Sequence, residues 1–148
     1  MTESVKSLFT RDLNQLKKEI ESYQNEEAIW KIDKDILNSA GNLSLHLVGN
    51  INHFIGAILG NSGYVRNREL EFSLKNIPKT ELILQIEKTI EVVHSSLDQL
   101  SEEDLEKEYP IEALGYPMKT EYFLIHLFGH LNYHLGQINY HRRLLGVE

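Results

Sequence analysis

Apolar residues recur along most of the chain at the spacing of amphipathic helices. In the first segment, Val5, Leu8 and Leu13 begin a stripe with charged residues between its members. Asn42 offers a cap to a second helix, and Pro78 lies near the start of a third. The pattern predicts four helices, over residues 4–23, 41–59, 78–100 and 120–146.

These four helices make the predicted fold class all-α. No segment alternates as a β-strand does, and no repeat of 20–50 residues is present. With 148 residues, the chain has the size of one domain over residues 1–148. A four-helix bundle would bury the apolar stripes together. The connections, roughly 16–20 residues long, exceed the ~2–8 of simple bundles, so crossovers are allowed and the loops could roof a cavity.

Two segments, residues 36–65 and 122–141, contain no Asp, Glu, Lys or Arg. Each is long enough to cross a bilayer, but the first contains five asparagines and two histidines and the second four histidines. Hydrocarbon would not tolerate so many polar groups. We therefore expect two helices that protein encloses on most sides, either within the bundle or at a subunit interface.

The overall composition narrows the possible partners. A formal net charge of −7 and a pI near 5.5, with no basic stripe, argue against a nucleic-acid or anionic-membrane surface. The sequence has no cysteine, so any thiol chemistry would need an external thiol. Residues 1–11 lack the apolar region of a secretory signal, and a cytoplasmic location is expected.

A ridge of histidines follows the predicted fourth helix. At about 100° per residue, His126, His130, His134, Gln137 and His141 share one sector of the helix. A ridge facing water would normally carry lysine or glutamate, and this one carries neither. Buried imidazoles need partners for both ring nitrogens, and a metal ion is the simplest shared partner. His141 is instead expected at the surface, favoured by the dipole at the helix C-terminus.

Helix geometry limits which histidines can bind one ion. Residues four apart can share a metal at ~2.0–2.1 Å per nitrogen, whereas residues eight apart are separated by ~12 Å. The pair on the fourth helix is therefore either His126/His130 or His130/His134, joined by only one of His46 and His53 from the second helix. The spacing predicts three nitrogens and an open position, as in catalytic sites. A histidine-rich interface without metal is the alternative.

Three stretches resemble the DinB-like superfamily of metal-binding four-helix bundles. They are residues 45–50 (LHLVGN), 63–69 (GYVRNRE) and especially 130–138 (HLNYHLGQI). Nearly the whole chain takes part in the resemblance. Carried over by position, it implies that the metal ligands are His46, His130 and His134, and that His53 and His126 are neighbours of the site. It also implies a homodimer and an unusual bundle connectivity.

The resemblance sets expectations for function as well. Characterised relatives include bacillithiol transferases and the mycothiol-dependent maleylpyruvate isomerase. If this chain is such an enzyme, the ion would bind a low-molecular-weight thiol and present it to an electrophile. Arg66 and Arg68 could then hold a carboxylate of the cofactor or substrate, although loop arginines are more often surface charges. Asn50 and Gln137 could orient the ligands.

The sequence leaves the metal and the activity open. Three imidazoles suit zinc, nickel, iron or manganese, and affinity order alone does not choose among them. The first hypothesis is a metal-dependent thiol S-transferase that acts in detoxification. The alternative is a non-enzymatic dimeric stress protein that binds a metal or a small ligand.

Overall fold

A computed structural model describes residues 1–147 and confirms an all-α fold. Within these residues no strand forms, and the only extended pairing is one bridge between Glu108 and Lys119. Helices α1 to α6 span Thr2–Glu21, Ala40–Ile51, Arg68–Ser73, Lys79–Asp98, Glu102–Glu106 and Thr120–Leu145, and a 3-10 turn covers Glu26–Trp30. The predicted four-helix bundle is formed by α1, α2, α4 and α6. The short helices α3 and α5 lie in two of the long connections.

The second helix begins one turn earlier than the asparagine cap predicts. Its N-cap is Ser39, whose hydroxyl accepts a hydrogen bond from the Asn42 backbone N–H at 3.1 Å. The Asn42 side chain is buried and donates instead to the backbone oxygens of Glu71 (2.9 Å) and Leu74 (2.8 Å). Asn42 was therefore wrong as the cap, because its amide fastens α3 onto α2.

Helix α2 continues into a π-helical segment, Asn52–Ala57. Backbone hydrogen bonds here join residues five apart, as in Ile58 N–H to His53 O at 3.0 Å. The Asn52 amide is buried and donates to Val48 O (2.8 Å) and to the Thr89 hydroxyl of α4 (2.9 Å). Because a π-turn holds more residues than an α-turn, it changes the direction in which the following side chains point.

The core lies between the four long helices. Helix α1 packs against α4 and α6, and α2 packs against α4 and α6. Every residue of α2 is buried, as the absence of charge predicts for a helix within the bundle. Apolar side chains with no measurable exposure come from each long helix, including Leu13 and Leu16 of α1, Leu47 of α2, Ile86 of α4 and Leu131 of α6. Burial of such side chains is the main source of the bundle's stability.

Helix α6 is enclosed on one side only. Its outer face exposes a stripe of large apolar and aromatic side chains that we call the α6 stripe: Tyr122, Ile125, Tyr133, Tyr140 and Leu144, each more than half exposed. A Cβ atom added at Gly129 or Gly136, both on this helix, would meet nothing within 4 Å. Of the two charge-free helices, α2 therefore lies in the bundle interior, whereas α6 is enclosed by the bundle on one side only.

His141 is buried, contrary to the prediction of a surface position. It is 3% exposed, its Nδ1 lies 2.6 Å from the Tyr23 hydroxyl, and its Nε2 lies 2.8 Å from the backbone oxygen of Lys31. Nε2–H therefore donates to Lys31, and Nδ1 accepts from Tyr23. Burial lowers the pKa of His141. Both ring nitrogens are satisfied without metal, so His141 ties α6 to the segment that follows α1.

None of the helices in residues 1–147 combines the length and the apolar character needed to span a bilayer.

Candidate metal centre

Three histidines converge between α2 and α6. One ring nitrogen from each of His46, His130 and His134 lies within 4.8 Å of the other two. The Nε2 atoms of His46 and His130 are 3.1 Å apart. The ring centroids lie 5.0 Å apart for His46 and His130, 5.2 Å for His46 and His134, and 4.6 Å for His130 and His134. The structure thus brings together the three ligands that the resemblance implies.

The way α2 crosses α6 brings together one of the combinations of histidines that helix spacing left open. His130 and His134 lie four residues apart, so their rings share one side of α6, and that side faces His46. His126 is outside this cluster and stacks on Phe123 at 5.6 Å between ring centroids. His53 lies in the π-helical segment against Phe54, also outside the cluster.

A buried carboxylate orients His46. Glu71 of α3 is 6% exposed, and its Oε1 accepts a hydrogen bond from His46 Nδ1 at 3.0 Å. Because Nδ1 then carries the proton, the lone pair of Nε2 faces the other two histidines. Arg66 donates two hydrogen bonds to the same carboxylate, Nε to Oε2 at 2.8 Å and Nη2 to Oε1 at 3.0 Å. Arg66, which the resemblance offered as a possible partner of a substrate carboxylate, thus hydrogen-bonds the carboxylate that contacts His46.

The surroundings of Glu71 stabilise its ionised form. Burial alone would raise the pKa of Glu71, but the hydrogen bonds from His46 and Arg66 outweigh burial and lower that pKa. The carboxylate fits against α2 only because residue 49 is glycine. A Cβ atom on Gly49 would lie 1.9 Å from Oε2 of Glu71.

The two histidines on α6 differ in the hydrogen bonding of their Nδ1 atoms. His134 Nδ1 lies 2.7 Å from Oε1 of Gln137, so Nδ1–H donates to Gln137 and Nε2 is the free nitrogen. The prediction that Gln137 lies next to the ligands agrees with this contact. His130 Nδ1 is buried and has no hydrogen-bond partner among the described residues. Burial, together with neighbouring histidines, lowers the pKa of His130 to about 4.

The donor set fits a divalent metal ion. Three neutral imidazole nitrogens that turn their lone pairs toward one another would all be satisfied by one cation. Ligands at ~2.0–2.1 Å from a tetrahedral ion lie ~3.3 Å apart. The observed 3.1 Å between Nε2 of His46 and Nε2 of His130 is close to this separation. No Cys, Asp or Glu side chain joins the cluster within residues 1–147.

A cavity of about 240 Å³ opens beside the cluster, and His46 and His130 form part of its wall. Asn50 and His126, both predicted near the site, also line this cavity. Asn50 is 7% exposed, and its Oδ1 has no hydrogen-bond partner among the described residues. Arg68 lines the cavity with its guanidinium carbon 5.5 Å from the Phe72 ring centroid.

Sequence reasoning missed Glu71. The segment around it is rich in charged residues, and nothing in its spacing distinguishes a buried carboxylate from the exposed Glu69 two positions earlier. His53, by contrast, was predicted as a possible neighbour and does not line the cavity. Burial and the charge of Arg66 lower the pKa of His53.

The fold and the three-histidine site define a DinB-like helical-bundle protein, which confirms the resemblance seen in the sequence. The chain belongs to the family described as "Protein of unknown function (DUF1572)", a DinB-like family whose profile matches residues 1–147. A crystal structure of a DinB-like protein from Bacillus cereus is similar, with a TM-score of 0.75 and 18% sequence identity over 97% of this chain and 92% of that chain. At this identity the likeness supports the fold alone. No curated protein sequence matches the chain significantly.

Proposed function

We propose that the protein binds one divalent metal ion through His46, His130 and His134 and acts as a metal-dependent thiol S-transferase in detoxification. The observation that carries the proposal is the open set of three nitrogens beside a cavity. Zinc, nickel and iron are candidates for the ion because imidazole suits each of them, and manganese stays a candidate although it prefers oxygen ligands. Structural zinc sites usually have four protein ligands, whereas catalytic sites have three and keep one position for water or substrate.

The proposed reaction transfers the sulfur of a small external thiol to an electrophilic carbon. The sulfur–carbon bond forms as the bond from carbon to its leaving group breaks, the leaving group takes that electron pair, and the thiol proton passes to water. When bound, the ion would supply a Lewis acid that lowers the pKa of the thiol. The chain contributes no cysteine of its own. The cytoplasm, where small thiols are kept reduced, is the proposed compartment.

The chain's own residues have positioning roles in this proposal. Glu71 and Gln137 fix the rings of His46 and His134 through hydrogen bonds to their Nδ1 atoms. Arg66 keeps the Glu71 carboxylate charged and in place. The cavity wall next to the cluster includes Phe54 and Leu127, which would exclude water from an electrophile.

The first experiment measures metal in protein purified without a polyhistidine tag. We expect close to one equivalent in the wild type and strong loss in His46→Ala, His130→Ala and His134→Ala. His126→Ala is the matched control, because this histidine lies one turn from His130 but outside the cluster. Wild-type protein without metal after incubation with each candidate ion, or equal loss in the control, would contradict the metal site.

The second experiment measures turnover. Metal-loaded protein is mixed with bacillithiol or mycothiol and a halogenated electrophile, and halide release is followed. We expect turnover that His130→Ala abolishes and that His53→Ala, at a histidine outside both the cluster and the cavity, retains in large part. A rate at the background level for every thiol and electrophile tested would refute the transferase while leaving metal binding intact.

A non-enzymatic role as a metal- or small-ligand-binding stress protein is the second candidate. It is favoured by the position of the cluster, since an ion bound there would join α2 to α6. An ion that binds only the folded state adds to the free energy of unfolding by about 4 kcal/mol at a thousandfold excess over its Kd. Removal of the ion would then lower the melting temperature strongly in a protein that shows no turnover.

We also propose a homodimer formed through the α6 stripe. Its exposed tyrosines and aliphatic residues carry no formal charge over residues 122–141. The open space above Gly129 and Gly136 would let a second copy of the helix approach closely. Contiguous exposed apolar surface of this kind is typical of protein interfaces.

A further inference from the structure

We propose that the cavity beside the three histidines binds a small organic carboxylate that also carries a hydrogen-bond donor, with Arg68 pairing with the carboxylate. This inference deepens the proposed function, because it names the class of molecule that reaches the open side of the cluster. It rests on four features of the wall: its charge, its apolar surface, its volume and one unpartnered acceptor.

The charge of the wall is the first argument. The sequence has 22 acidic residues and a net charge of −7, yet none of the residues that line this cavity is Asp or Glu. Two of them, Arg66 and Arg68, are arginines. The wall therefore has the sign opposite to that of the chain as a whole, which attracts an anion.

Arg68 is the arginine of the wall that is left to pair with a ligand. Arg66 is neutralised by its two hydrogen bonds to Glu71. Arg68 forms no salt bridge within residues 1–147, and its guanidinium lies over the Phe72 ring. An unpaired guanidinium can bind a carboxylate through two parallel N–H···O bonds.

The rest of the wall describes the body of the ligand. Phe54, Leu114, Phe123 and Leu127 make one side of the cavity apolar. The volume of about 240 Å³ suits a compact molecule with an aromatic or aliphatic body.

Asn50 adds the last requirement. Its Oδ1 is buried, has no partner among the described residues and belongs to a side chain that lines the cavity. A buried acceptor without a donor costs free energy, so a ligand that donates a hydrogen bond there binds more tightly. A hydroxyl, thiol or amine on the carboxylate ligand would supply that donor close to the histidines.

The test uses calorimetric titration of the full-length protein, with its metal content measured beforehand. The probes are benzoate and its neutral counterpart benzamide, which have almost the same shape. We expect benzoate to bind more tightly, and Arg68→Gln to weaken benzoate by about 10- to 100-fold while leaving benzamide unchanged. Arg143→Gln is the matched control, because Arg143 also lies over an aromatic ring, that of Tyr140, but outside this cavity. Equal affinity for both probes, or equal effects of the two substitutions, would overturn the proposal.

A second pair of probes tests Asn50. Mandelate differs from phenylacetate by one hydroxyl, so we expect mandelate to bind more tightly to the wild type and this advantage to disappear in Asn50→Leu. An advantage of the same size in both proteins would show that Asn50 does not accept a hydrogen bond from the hydroxyl of mandelate. If Arg68 controls benzoate binding but no thiol is turned over, the transferase fails and the anion site stands. If turnover occurs but Arg68→Gln does not change benzoate binding, the anion site fails and the transferase stands.

Discussion

Replacement of Gly49 by alanine should weaken metal binding even though it improves the intrinsic helix propensity of α2. An alanine in a helix interior is favoured over glycine by roughly 0.8–1.0 kcal/mol. However, the added Cβ would lie 1.9 Å from Oε2 and 2.5 Å from Cδ of Glu71. To restore an ordinary contact of 3.4 Å, the carboxylate must move by about 1.5 Å, the difference between 3.4 and 1.9 Å.

Because of this displacement, both the metal affinity and the stability of the metal-free protein should fall. The three hydrogen bonds to the carboxylate measure 2.8–3.0 Å, and a shift of that size breaks or distorts them. Loss of the partner that orients a metal-bound histidine typically costs about 10- to 100-fold in metal affinity, or ~1.4–2.8 kcal/mol. Arg66, whose side chain is 13% exposed, also loses its counter-charge. Each lost charged hydrogen bond costs ~1.5–3 kcal/mol, which exceeds the gain in helix propensity.

Zinc affinity is measured by competition with a chromophoric chelator, and the free energy of unfolding of the metal-free protein by urea denaturation. The substitution is also combined with Glu71→Gln. Because both changes act on the same carboxylate, their effects on zinc affinity should be clearly less than additive. Wild-type zinc affinity in Gly49→Ala, together with a gain of about 1 kcal/mol in stability, would show that Glu71 is not constrained by α2.

Three further predictions follow from the site and the surface. Gln137→Ala removes the acceptor for His134 Nδ1–H and should reduce zinc affinity about 10-fold, measured with the same chelator, and an unchanged affinity would exclude this role. The pKa of His130 is lowered from 6.5 to about 4, so the unfolded chain binds more protons between these values. The urea midpoint of the metal-free protein should therefore fall as the pH falls from 6.5 toward 4, and less so in His130→Gln, whereas equal slopes would contradict the assignment. Tyr133, 66% exposed in the α6 stripe, should be essential for the dimer, so that Tyr133→Glu sediments as a monomer and a monomeric wild type would refute the interface.

The sequence was sufficient to predict the four long helices, because their apolar periodicity is strong and their ends carry turn residues. It was not sufficient for details that depend on distant residues. Asn42 was assigned to a cap because asparagine is a good cap, but its amide bonds to α3 about thirty residues later. The π-helical segment was not predicted either, and its first residue, Asn52, bonds to Thr89 of α4, a contact that local propensity does not contain.

For the candidate site, too, the sequence predicted some residues and missed contacts that depend on distant parts of the chain. The spacing of histidines left two choices on each helix, and the resemblance selected His46, His130 and His134, which the structure brings together. The support of His46 was missed because Glu71 is buried only when α3 folds onto α2. His141 was misplaced because the dipole argument considered its own helix, whereas its partners, Tyr23 and Lys31, are more than a hundred positions away.

The short helix α3 both contacts His46 and contributes to the cavity wall. Its inner side is fastened to α2 through Asn42 and through the contact of Glu71 with His46, and its first residue, Arg68, reaches the rim of the cavity. If Arg68 pairs with the ligand as proposed, its exchange alone would change the ligand preference without disturbing Glu71, which contacts His46. This short helix would then be the place at which to redesign selectivity.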